Sequence, residues 1–219
     1  MENPRQAAKR QNILEAATEM FLEGGYAGVS VDGLIARIGG SKRTIYAYFD
    51  GKDGLFAAII EQLCEENVTP LTHMDLKRKP LREALSTIAS TFLDVVLAPR
   101  TLALHRLIVA EAPRAPEAAR SFFEAAPATA YRCLAEYLTW ADGAGLVLPG
   151  DAQTRAAIFL DALTGDLQLR CLLGLIESPS REERQRLIDE AIAIFIRGLS
   201  PVAEDTDSPV ALVDGRNRS

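Results

Sequence analysis

Only three cysteines stand in this 219-residue chain, Cys64, Cys133 and Cys171, with no C-x-x-C pair among them. An odd number at wide spacing supports neither a disulfide framework nor a zinc site, so reduced thiols in helices are expected rather than a redox switch. Histidine is scarcer still. His73 and His105 are the only two, and neither has a nucleophile or ligand partner at a usable spacing, so no enzyme, metal or cofactor is expected. No apolar run approaches the roughly 20 residues that span a bilayer. The start, Met1-Glu2-Asn3-Pro4-Arg5, lacks the apolar core of a signal peptide. A cytoplasmic protein with no membrane partner is the expectation. Sustained alternation of period two is also missing, which argues against a sheet and for an all-α chain.

Excess positive charge is absent too. The formal net charge is −6, which argues against nucleic-acid binding until it is divided along the chain. Residues 1–56 hold 7 basic and 7 acidic residues, leaving 17 and 23 for the remainder, from totals of 24 and 30. The first quarter is therefore neutral, and the rest carries the whole deficit. Arg5, Lys9, Arg10, Lys42, Arg43 and Lys52 lie at the ends and outer face of that first part. An acidic remainder repels phosphates and leaves DNA contact to a small basic face.

What is present is concentrated from Val29 to Phe56. Ser30 is placed to cap a helix whose apolar face is Leu34, Ile35 and Ile38, with Asp32 at its positive end. Gly39-Gly40 stops it. Ser41 caps a second helix, Lys42 to Phe49, ended by Asp50-Gly51. At about 100° per residue, Ile45 and Phe49 point inward together. Arg43, Thr44 and Ala47 fall outward, with Tyr46 and Tyr48 on the flanks. This is a helix-turn-helix whose second helix suits a major groove. Arg43 can fork onto a guanine edge, Thr44 can touch a thymine methyl or a phosphate, and small Ala47 permits close approach. Lys52, at the next helix start, is placed for a phosphate. Two other readings of these glycines fail. Gly39-Gly40-Ser41-Lys42 lacks the phosphate-loop spacing, and Asp50 to Gly54 lacks the ligands of a calcium loop.

Ser41-Lys42-Arg43-Thr44-Ile45-Tyr46-Ala47-Tyr48-Phe49, followed by Lys52, Leu55 and Phe56, closely resembles the recognition pattern of the tetracycline-repressor-like (TetR/AcrR) regulators. Ile13, Leu14, Ala17 and Phe21, then Gly24-Gly25-Tyr26, resemble that family's first helix. The resemblance implies base or groove contacts by Arg43, Thr44 and Tyr46, and phosphate contacts by Ser30, Tyr48 and Lys52. Lys42 and Ala47 complete the expected DNA-binding set. Arg43 departs from the small residue that many members carry, so no operator sequence can be borrowed.

The remainder reads as successive helices. One runs from Asp53 to about Asn67 and is closed by Pro70. Others run from Pro80 to about Leu97, Thr101 to Ala112, Pro116 to Ala126 and Pro127 to Ala141. A long helix follows from Asp151 to about Leu173, and a last one from Ser180 to Leu199. The predicted organisation is a DNA-binding domain over 1–56, a helical effector-binding and dimerisation domain over 57–200, and a disordered tail over 201–219. Ala157, Leu160, Leu163, Leu167 and Leu172, with Leu187, Ile188, Ala191, Ile194 and Phe195, exceed the apolar surface one small bundle buries. They point to a homodimer. Phe92, Val96, His105, Arg106, Val109, Phe123, Tyr131, Tyr137 and Phe159 are candidates for a pocket that takes a small apolar or aromatic effector. Leu104 to Pro127 and Gly165 to Gly174 resemble the C-terminal domain of the AefR-like branch of the same family. The implied function is a repressor released from a palindromic DNA operator by a small molecule. The alternatives are an activator without a ligand, or a helical interaction module.

Overall fold

The computed structural model describes residues 4–77 and 79–199. Among them stand eleven α-helices and no strand. Helix α1 (Pro4–Gly28) buries Ile13, Leu14, Ala17 and Phe21 along one stripe and is interrupted at Gly25, whose φ of 69° suits glycine. Helices α2 (Val31–Ile38) and α3 (Lys42–Phe49) follow. Helix α2 packs on α1 and α3, and α3 packs on α4 (Lys52–Thr72), whose Leu55, Phe56, Ile59, Ile60, Leu63 and Cys64 complete one buried cluster. Phe21, Tyr26 and Phe56 form its aromatic centre, with ring centroids 4.9–5.9 Å apart.

A second cluster is built from α5 (Leu81–Val96), α8 (Pro127–Gly143), α9 (Ala152–Thr164), α10 (Leu167–Leu172) and α11 (Arg181–Leu199). Helix α6 (Pro99–Glu111) belongs to both. Its Leu104, Leu107 and Ile108 enter the first cluster and Leu102 the second. Helix α7 (Pro116–Ala125) lies against α4 and α6. Arg100 ties the start of α6 to the first unit, 3.9 Å from Glu19 of α1 and 3.6 Å from Glu66 of α4.

Several boundaries differ from the sequence expectation. Pro70 does not close α4; the helix continues to Thr72. Leu71, 3% exposed, anchors that last turn in the second cluster. The hydroxyl of Thr69 meanwhile donates to the Glu65 carbonyl at 2.7 Å. A division at 56/57 therefore falls inside a continuous helix that serves both clusters. Pro99 opens α6 as its first residue, two positions ahead of the expected start, because its missing N–H costs nothing there. The single helix expected from Asp151 to Leu173 is two, α9 and α10, parted at Gly165-Asp166. Arg106 holds α10 against α6, donating to the carbonyls of Cys171 at 2.6 Å and Leu172 at 2.9 Å. The tail expected over 201–219 lies outside the described residues.

Candidate nucleic-acid interface and effector cavity

The outward face of α3 is set by its inward one. Ile45 and Phe49 are buried at 1% and 6% exposure, four residues apart. That fixes the helix roll and leaves Arg43, Tyr46 and Ala47 exposed, with Thr44 and Tyr48 half-buried beside them. The helix stops at Asp50, whose left-handed φ of 57° lets its N–H reach the Tyr46 carbonyl. Next to it, Gly54 carries a requirement the sequence did not reveal. A Cβ there would overlap the Phe49 carbonyl oxygen and stand 2.8 Å from the carbonyl carbon, so only glycine lets α4 pass this close to the end of α3.

Other members of the expected set have local partners. The Ser30 hydroxyl caps α2, accepting from the Gly33 N–H at 3.0 Å. Lys42 pairs with Asp32 at 2.9 Å across the α2–α3 turn. Ser41 occupies the cap position of α3, but its hydroxyl lies 3.2 Å from that of Thr44 instead of bonding the backbone. Lys52 has the most extensive local surroundings of the set. Its ammonium stands 4.0 Å over the Tyr26 ring, and the Tyr26 hydroxyl donates to Asp53. Partial burial lowers its pKa, while the carboxylate of Glu111 works in the opposite sense. Lys52 is thus part of the joint between α1 and α4. Sequence spacing showed its place at a helix start but not the aromatic ring brought over from α1.

The expected pocket residues fall into two groups. Phe92, Val96, His105, Phe123 and Tyr131 line one cavity of about 350 Å³, with Asn67, Leu71, Phe122, Asp161 and Gln168. The Tyr131 hydroxyl donates to Asp161 Oδ1 at 2.7 Å. His105 meets Phe122 edge-on, ring centroids 6.0 Å apart. The other four candidates are elsewhere. Arg106 is turned to α10 as described. Val109 has passed the cavity and is 62% exposed. Tyr137 is buried against Trp140, its hydroxyl donating to the Lys79 carbonyl at 3.2 Å. Phe159 packs on Phe195 at 4.8 Å in the second cluster. Aromatic content alone could not separate wall from core. A wider cleft of about 950 Å³ lies between α4 and α7, rimmed by Asp53, Glu61, Glu111, Glu117 and Glu124. Of the residues expected to contribute to a pocket, it is lined by Glu111, a candidate polar group, and by none of the expected apolar or aromatic ones.

Burial lowers the pKa of His105. The folded state therefore binds fewer protons than the unfolded chain, and its stability falls as pH drops below about 6.5, the ordinary histidine value. His105→Gln is expected to flatten the decline in melting temperature between about pH 6.5 and pH 5. An unchanged slope in that variant would show that His105 contributes nothing to it. The thiols stay protonated: burial pushes Cys64 up to about 11 and raises Cys133 and Cys171 as well.

Comparison with known proteins decides the family. Residues 83–198 match the family model for the C-terminal domain of AefR-like transcriptional repressors, and residues 13–59 that for bacterial regulatory proteins of the tetR family. The chain belongs to the TetR family. Among solved structures, the flavonoid-responsive regulator FrrA is similar, with 32% identity and a TM-score of 0.79 over 90% of this chain and 100% of that one. A TetR-family regulator from Mesorhizobium loti gives the same TM-score at 25% identity, over 90% and 99%. The transcriptional repressor SCO4008 of Streptomyces coelicolor is 38% identical over 55 residues. The repressor AcnR of Corynebacterium diphtheriae is 37% identical over 60. Those two matches span 25% and 27% of this chain and only 29% and 32% of the relatives' own lengths. The all-α architecture expected from the sequence is the TetR fold. No helix among the described residues is long and apolar enough to cross a membrane.

Proposed function

We propose that this TetR-family regulator is a dimeric repressor that binds a palindromic operator through α3 and leaves it when a small aromatic molecule enters the cavity around His105. The observation that carries the DNA reading is the roll of α3. Ile45 and Phe49 are buried together, and the exposed Arg43, Tyr46 and Ala47 stand on the opposite side. A base-reading face needs that separation. The cavity supports the second part, because such sites are largely apolar with a few convergent polar groups. FrrA, a flavonoid-responsive regulator by name, shares the fold over nine-tenths of this chain, which favours a planar aromatic effector. Helix α6 links the two ends. His105 lines the cavity, while Leu104, Leu107 and Ile108 pack with the α1–α4 unit. A ligand that moves α6 thus shifts the spacing of the two recognition helices. Linkage requires operator DNA to weaken ligand binding by the same factor.

A mobility shift on the promoter region upstream of the protein's own gene, followed by a footprint, tests the DNA part. A protected palindrome with half-sites about one helical turn apart, or a multiple of it, is expected. No shift at low salt would leave only a helical interaction module. Release by aromatic compounds in the same assay tests the effector part.

Of the large side chains expected at a dimer face, all but Ile194 pack in or against the monomer core. Leu160, Leu163 and Leu167 are buried in the monomer core, and Leu187, Ala191 and Phe195 are half-buried against it. The large apolar side chains of α9 and α11 left open are Ile158 at 60% and Ile194, itself in the expected set, at 62% exposure. Both helices carry apolar residues on two faces, and only packing shows which face is already used. Ile158→Glu with Ile194→Glu is expected to give a folded monomer by light scattering and to lower operator affinity at least about tenfold, since one half-site is lost. A dimer that survives both changes would move the interface to other residues.

A further inference from the structure

The charge pattern of the cavity narrows the effector's chemistry, on the premise that this cavity is where the effector binds. No lysine or arginine is among its lining residues. Burial disfavours the protonated form of His105, so near neutral pH the lining has one formal charge, the Asp161 carboxylate. Tyr131 keeps its proton, because burial and Asp161 push its pKa up to about 12. One atom of each lining amide is engaged by the protein. Asn67 Oδ1 accepts from the Thr101 hydroxyl at 3.1 Å, and Gln168 donates to the Val96 carbonyl at 3.4 Å.

A carboxylate has about four acceptor sites, and the Tyr131 hydroxyl uses one of them. Asp161 thus offers further acceptor capacity beside the edge-on rings of Phe123 and Tyr131, whose centroids are 6.5 Å apart. Asp161 is exposed at the edge of the cavity, and a ligand carboxylate or phosphate beside it would find no lining cation to pair with and be repelled by Asp161. A ligand O–H would instead make a charge-assisted hydrogen bond. We infer that the effector is an uncharged aromatic molecule whose hydroxyl donates to Asp161, and that the site rejects carboxylate-bearing and phosphate-bearing analogues.

Isothermal titration of the full chain with 4-hydroxybiphenyl, 4-methoxybiphenyl and biphenyl-4-carboxylate tests this. The hydroxyl compound should bind at least about tenfold tighter than the ether, the gain of a hydrogen bond to a charged group. The carboxylate should bind weakest. In Asp161→Asn both gaps should shrink, while the carbonyl oxygen of the new amide keeps the Tyr131 contact possible. Val96→Trp, which fills the cavity, should suppress binding of every probe. Equal affinities for hydroxyl, ether and carboxylate in the unaltered protein, with Val96→Trp still blocking, would overturn the inference and leave the cavity as the effector site. Binding indifferent to Val96→Trp would instead remove the cavity from the mechanism, and the inference with it. If 4-hydroxybiphenyl does not bind at all, the inference also falls.

Discussion

Arg43→Ala is expected to cost about 1–3 kcal/mol per half-site, and so about 2–6 kcal/mol for a dimer on its operator, while random DNA loses far less. The side chain is exposed near the start of α3, where nothing in the protein core depends on it. Its removal should therefore leave the melting temperature unchanged. The arithmetic distinguishes reading from simple attraction. A lost phosphate contact weakens every sequence and lowers the salt slope by about one per contact. A lost bidentate contact to guanine relaxes preference at one base pair in each half-site. Titrations on operator and scrambled duplexes at several salt concentrations separate the two. Equal losses on both duplexes would reduce Arg43 to a phosphate contact. Lys52, often a phosphate contact by position, is expected to matter differently here. Its ammonium is engaged with the Tyr26 ring.

Gly54→Ala should damage the DNA-binding unit as a whole. The added methyl would overlap the Phe49 carbonyl oxygen and meet its carbon at 2.8 Å, both backbone atoms that no rotamer change can move. Either α3 or α4 must shift. Overpacking of a well-filled core costs about 1–3 kcal/mol and sometimes more, and this clash belongs at the upper end. The expected result is loss of operator binding together with faster amide exchange in α1–α3, while the second cluster keeps its protection. Gly24→Ala is the control. No heavy atom lies within 4 Å of the place its methyl would take, and alanine in place of glycine in a helix stabilises by roughly 0.5–1 kcal/mol. Normal DNA binding by Gly54→Ala would mean that the α3–α4 contact is not tight in solution.

The amino-acid sequence by itself determined helix α3. Its stop, the inward pair Ile45 and Phe49 and the outward Arg43 follow from a period of 3.6 residues and from the turn chemistry of Asp50-Gly51, both of which act within one or two turns. The all-α class followed in the same way from the lack of any period-two pattern. Tertiary structure decided whatever needed a partner from far along the chain. Tyr26 comes to Lys52, and Asp161 meets Tyr131 from 30 residues away. It also separated Leu160 and Leu163, which close the monomer, from Ile158 and Ile194, which remain open. Hydrophobicity states that a side chain should leave water. It does not state against which surface, because the effect is non-directional and only the packed fold supplies the direction.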